Sequence, residues 1–192
     1  MRIGLYGGSF DPIHRGHLLV AQAALEEFQL DRLIFIPAAQ SPFKPGSTPS
    51  SPLIRMRLLR MALAGQTRCA VDDLEVRRGG ISYTIETVRN FQSRFPEAKF
   101  YWLIGEDHVA TLPQWREAES LAERVDFLVI PRPGIQPTRL PESYRLHTLK
   151  GWPLKVSASE IRERLQKGLP ISHLVPSHVA SVLENERIYL KT

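Results

Sequence analysis

The sequence predicts an α/β protein built on a doubly wound, mostly parallel sheet, and three observations carry that expectation. Apolar runs of strand length alternate with helix-period patterns along the first 130 residues. The strand-like runs "RLIFIP" (32–37) and "KFYWLIG" (99–105) are nearly continuous in apolar residues, as strands covered on both faces are. A double glycine, Gly7-Gly8, falls where the first strand-like run hands over to a helical pattern.

Taken in order, "RIGLYG" reads as a first strand. A helix over His17 to Phe28 follows, with Leu18, Ala21, Leu25 and Phe28 at core spacing. "RLIFIP" is the second strand, and a helix spans Leu53 to Leu63. "CAVDD", a helix from Thr84 to Arg94, "KFYWLIG", a further helix and "DFLVIP" complete the alternation. Residues 37–52, with five prolines and four serines, predict a mobile loop over a site. A second Pro-rich stretch covers 131–143. Neither separates two cores, so residues 1–192 read as one domain, with a mostly helical extension over about 151–192.

Composition narrows the function classes. The 192 residues hold 25 Lys and Arg against 20 Asp and Glu, a net charge of +5 that suits a polyanionic ligand. The basic residues are scattered, without the dense cluster of a nucleic-acid tail, so no nucleic-acid partner is expected. No apolar run approaches the ~20 residues that span a bilayer, and no membrane partner is expected. The single cysteine, Cys69, excludes an intramolecular disulfide and a Cys-rich zinc site. Together with the lack of a signal-peptide pattern, it makes the reducing cytoplasm the expected location. An oligomer of this chain is left open.

The stretch "GGSFDPIHRGHL" concentrates the chemistry. A strand, a glycine turn and a helix start form a phosphate cradle, because free N–H groups and the helix dipole point to one place. The spacing matches neither a Walker A loop nor a G-x-G-x-x-G dinucleotide turn. His14 and His17, at i and i+3, lack the spacing and third ligand of a zinc protease site. They read as candidate phosphate ligands.

These residues resemble the signature of the nucleotidyltransferase superfamily, with its H-x-G-H motif at His14 to His17. Within it, the chain resembles the bacterial nicotinate-nucleotide adenylyltransferases. "ISYTIET" (81–87) is similar to their S-Y-T stretch and "GEDHVATLPQW" (105–115) to their G-x-D-x-x-x-x-L-P-x-W segment. "VSASEIR" (156–162) is similar to their I-S-[SA]-[ST]-x-I-R motif, and "RPG" at 132–134 matches more weakly.

The resemblance implies a Rossmann-like nucleotidyltransferase fold and transfer of the adenylyl group of ATP to nicotinate mononucleotide, giving deamido-NAD and pyrophosphate. It implies His14 and His17 as the catalytic pair. Gly8, Ser9, Phe10, Gly105, Asp107, Arg132, Ser157, Ser159 and Arg162 would join them in binding ATP. Lys44, Tyr83, Thr84 and Trp115 would bind nicotinate mononucleotide, with Trp115 stacked on the pyridine ring. Magnesium is the implied cofactor, held mainly by phosphates and water, with no protein ligand named. The chain departs from the family at Ala38-Ala39, where asparagines are frequent, and at Phe43, which precedes Lys44 in place of a histidine.

Each residue also has a plainer structural role open to it. Asp107 could cap a short helix, Trp115 could be a core aromatic, and Arg162 could form a surface ion pair. Ser157 and Glu160 read as a capping box that opens a helix with Ile161 and Leu165 facing the core. Two rival functions stay open as well: a related transferase, such as a pantetheine-phosphate adenylyltransferase, and a non-catalytic nucleotide-binding regulator on the same fold.

Overall fold

The computed structural model describes residues 1–42, 49–132, 134–136, 138–151 and 154–190. Its centre is a six-stranded sheet of β1 (Arg2–Gly8), β2 (Arg32–Pro37), β3 (Cys69–Val71), β4 (Lys99–Gly105), β5 (Val125–Ile130) and β6 (Leu146–Thr148). The strand order is β3-β2-β1-β4-β5-β6 and every pairing is parallel, where a mostly parallel sheet was expected.

Side chains alternate strictly across this sheet. Tyr6, Leu33, Phe35, Tyr101, Leu103, Leu128 and Ile130 join the core on one face. Ile3, Leu5, Ile34, Ile36, Phe100, Trp102, Phe127 and Val129 join the core on the other. Both faces are therefore covered, which is why the strands read as unbroken apolar runs. The first face carries α1 (Arg15–Glu27), α2 (Pro52–Ala62), α7 (Ala158–Gln166) and α8 (Ser177–Asn185). The second carries α4 (Thr84–Arg94) and α6 (Ala118–Arg124). The short helices α3 (Leu74–Arg78) and α5 (Glu106–Val109) and a 3-10 turn at Leu112–Gln114 complete the fold.

Local chemistry sets several boundaries. Pro52 opens α2 at a position where its missing N–H costs nothing. Ser157 Oγ accepts the Glu160 N–H at 3.1 Å and so caps α7, whose Ile161 and Leu165 are buried as expected. The first helix begins two residues earlier than its periodicity suggested. Neither α3 nor β6 was anticipated.

The chain passes from β1 outward to β2 and β3, then crosses back to β4 on the other side of β1. That reversal opens a crevice beyond the C-terminal ends of β1 and β4, where sheets of this kind bind ligands. Gly7-Gly8 ends one strand and Gly105 the other.

Candidate active site

Two cavities meet over this crevice. One, of about 370 Å³, lies between the N-termini of α1 and α7 and is lined by His14, Gly16, Ser157, Ser159 and Arg162 among others. The second, of about 240 Å³, lies on the β4 side and is lined by Gly8, Phe10, Thr84, Trp102, His108 and Trp115 among others. Tyr6, Ser9, His17, Ile130 and Arg132 line both.

Small residues make the junction. A Cβ on Gly7 would sit 2.7 Å from the ring of Trp102, so only glycine lets β1 pass that side chain. A Cβ on Gly16 would sit 2.8 Å from Cγ1 of Val156. The glycine of the H-x-G-H motif thus brings α1 against the segment that enters α7. Two helix N-termini, each with a positive dipole end, then face one cavity. An anion of several charges suits such a place.

The histidines are locked to each other. The His14 backbone N–H donates to Nδ1 of His17 at 3.2 Å, and the two rings stack with centroids 3.6 Å apart. His17 also meets the rings of Phe10 and Tyr6 edge-on, at 5.0 and 6.0 Å. Burial, reinforced by the charge of Arg132, pushes His14 down to about 4. His17 lies well below the ordinary histidine value through burial, then the charges of His14 and Arg132. Both rings are neutral at pH 7. Because Nδ1 of His17 accepts a hydrogen bond, its one proton sits on Nε2, which makes Nε2–H a donor. Nδ1 of His14 is buried with no hydrogen-bond partner among the described residues.

The other candidates divide between the cavities. Ser157, Ser159, Arg162 and Arg132 line the first. Arg162 donates to the Asp11 backbone carbonyl at 2.6 Å and to Ser159 Oγ at 3.1 Å, so the surface ion pair open to it in the sequence is not what it makes. Gly8, Phe10 and Gly105, expected with ATP, line the second cavity, at the β4 side of the strand ends. Asp107 lines neither cavity; it pairs with Arg132 at 3.4 Å. Gly105, not Asp107, is the cap of the short helix.

Thr84 and Trp115 line the second cavity and, with Tyr83, Pro42 and Arg116, a side pocket of about 90 Å³. Trp115 is half-buried and donates from Nε1 to Thr111 Oγ1 at 3.3 Å. The Ser82 N–H donates to Gln40 O at 2.9 Å, and Ser82 Oγ accepts the Ala39 N–H at 3.0 Å. These bonds draw the S-Y-T stretch beside the loop after β2, whose Ala38, Ser41 and Pro42 also line the second cavity. Lys44 lies outside the described residues.

Sequence reasoning missed Glu75, a buried carboxyl in the second cavity that accepts from Thr87 Oγ1 at 2.5 Å. Burial raises its pKa. It also missed the 149–151 wall of the first cavity, where Glu27 accepts the Lys150 and Gly151 N–H groups at 2.9 and 2.7 Å. No motif flags a carboxylate that serves a backbone 123 residues away.

The strand order and the histidine pair at the start of α1, set where two cavities meet, make an α/β fold with a ligand site at its crevice. Residues 5–164 match the cytidylyltransferase-like family model. A protein of Opitutus terrae named "Probable nicotinate-nucleotide adenylyltransferase" is 42% identical over 191 residues, covering 98% of each chain. One of the same name from Shouchella clausii is 40% identical, covering 98% of this chain and 96% of its own. The solved structure of Plasmodium falciparum nicotinic acid mononucleotide adenylyltransferase complexed with NaAD superposes with a TM-score of 0.79 at 19% identity. It covers 98% of this chain and 97% of that one, a likeness of fold. This chain belongs to the nicotinate-nucleotide adenylyltransferase family, within the cytidylyltransferase-like group.

Proposed function

We infer that the protein transfers the adenylyl group of ATP to nicotinate mononucleotide, releasing pyrophosphate and forming deamido-NAD, a step of NAD biosynthesis. The observation that carries this reading is the junction of two cavities on His17, Ser9 and Arg132. One cavity takes the adenosine triphosphate and the other the pyridine nucleotide, so the reacting phosphorus lies where they meet.

The acceptor phosphate is already ionised at neutral pH and needs no general base. What the protein supplies is alignment and charge stabilisation. Nε2–H of His17 is the donor placed for the α-phosphoryl oxygen on which charge develops, and His14 holds its ring in register. Ser157, Ser159, Arg162 and the N–H groups opening α7 hold the β- and γ-phosphates that leave as pyrophosphate. Arg132, on the wall of both cavities, balances charge on either substrate. On the acceptor side, Thr84 and Tyr83 read the carboxylate and Trp115 stacks on the ring. Among the described residues no group of three His, Cys, Asp or Glu could hold a metal ion. Magnesium, when bound, supplies charge neutralisation along the triphosphate, carried by phosphate oxygens and water as this small hard ion prefers. No helix among the described residues is long and apolar enough to cross a membrane, and the cytoplasm is the location this reading assigns.

Direct attack makes a checkable demand. ATP labelled at the α-phosphorus should deliver its label to the dinucleotide, one for each pyrophosphate released, with none retained on protein. Label held covalently on the chain would overturn the single-displacement mechanism.

A further inference from the structure

Arg55 is fully buried on α2, where stripping a guanidinium of water is costly. Its hydrogen bonds go to backbone carbonyls rather than carboxylates. Nε donates to Ser50 O at 2.9 Å and Nη1 to Ser9 O at 2.8 Å. Nη2 is buried with no hydrogen-bond partner among the described residues. So expensive a group needs a return beyond packing, and the segment it grips supplies one.

That segment, Ser9 to Asp11, is the turn between β1 and the histidines, and Ser9 lines both cavities. Phe10 at its centre has φ 45°, a left-handed backbone that an aromatic residue holds only where its surroundings enforce it. Arg55 fixes the Ser9 carbonyl on one side of it. On the other side Asp11 is held three times. Its carbonyl accepts from Arg162, its Oδ1 accepts the Tyr189 hydroxyl at 2.6 Å, and its Oδ2 accepts the Ser50 N–H at 3.0 Å. In a trans peptide the C=O and the next N–H point in opposite directions. Anchoring the Ser9 carbonyl on Arg55 therefore turns the Phe10 N–H away from α2.

We propose that Arg55 is a positioning residue for adenylyl transfer, setting, together with Asp11 and Tyr189, the shape of the turn on which the two substrate cavities meet. The proposal rests on the activity inferred above and goes beyond it. Arg55 and Tyr189 line neither cavity, so each substrate keeps its own contacts when they are altered. What is lost is the alignment of one substrate on the other, and a misplacement of ~1 Å costs about 10²-fold in rate.

Steady-state kinetics beside thermal unfolding of Arg55→Met, Arg55→Lys and Tyr189→Phe test this. In Arg55→Met, kcat should fall roughly 10- to 100-fold while both KM values stay within about threefold. Arg55→Lys should regain part of the loss, because an ammonium can still reach one or both carbonyls. Tyr189→Phe removes one oxygen from a residue that lines neither cavity and should lower kcat by about threefold or more on the same scale. If Arg55→Met does not fold, Tyr189→Phe decides alone. Folded variants with kcat within about twofold of wild type would overturn the proposal, and so would kcat and both KM values drifting together with the melting temperature. Wild-type protein that makes no dinucleotide would instead overturn the activity itself.

Discussion

The His14 backbone N–H donates to Nδ1 of His17 across 3.2 Å while the two imidazoles stack at 3.6 Å. This is what i, i+3 spacing at a helix start achieves: the first residue caps the turn that the second completes. One histidine thereby fixes the tautomer of the other, which lines both cavities.

That relationship bears on His17→Ala. Losing one transition-state donor should cut kcat by roughly 10²-fold or more, with ATP binding weakened much less. A folded variant that turns over within about threefold of wild type would make the histidine structural.

Neutrality of His14 has a pH signature. Its folded value of about 4 lies below the ordinary 6.5, so between these values the unfolded chain binds more protons than the folded one. Stability then rises with pH across this window, and acidification from 6.5 to 4 costs up to about 3 kcal/mol from this group. His14→Asn removes that cost, so its stability deficit against wild type should shrink as pH falls from 6.5 toward 4. Chemical denaturation at several pH values checks it; a constant deficit would mean His14 does not carry the depressed value. Neither histidine should impose a titration on kcat/KM between pH 6.5 and 8.

Arg162 spans the Asp11 carbonyl and Ser159 Oγ with one planar fork. Arg162→Lys keeps the charge but cannot hold both partners in that geometry, so ATP use should be measurably impaired. Kinetics indistinguishable from wild type would remove Arg162 from the phosphate site.

Trp115 is half-buried between core and cavity, so its two possible roles predict different pairs of measurements. If it stacks on the pyridine, Trp115→Ala should lose ~1–3 kcal/mol of acceptor binding, raising the nicotinate mononucleotide KM roughly 5- to 150-fold with little change for ATP. Trp115→Phe should recover much of that. A core role would cost ~3–5 kcal/mol of stability and harm both substrates together.

The alternation of apolar runs was enough to read the sheet, because strands buried on both faces leave an unmistakable composition. Strand β6 was not legible: "LHT" is three residues long and half-exposed, paired along β5 by position rather than pattern. The H-x-G-H pair and the "VSASEIR" helix start were legible because their chemistry is local. Arg55 and Tyr189 were not. Their partners lie 46 and 178 residues away, and nothing in "PLIRMRLLRMA" marks one arginine as the buried one. That Gly8, Phe10 and Gly105 line the second cavity was not legible for a related reason. A strand end can be placed from sequence, but which side of it faces which ligand depends on the crossover from β3 to β4.

The central claim is adenylyl transfer to a pyridine nucleotide selected by its carboxylate, and acceptor choice tests it most directly. Pyrophosphate release from ATP and magnesium should be measured with nicotinate mononucleotide, nicotinamide mononucleotide and phosphopantetheine in turn. The account predicts rapid release with the first and much slower release with the second, whose neutral amide forfeits charge-assisted hydrogen bonds. Equal turnover of the two pyridine nucleotides, or release with phosphopantetheine alone, would contradict it.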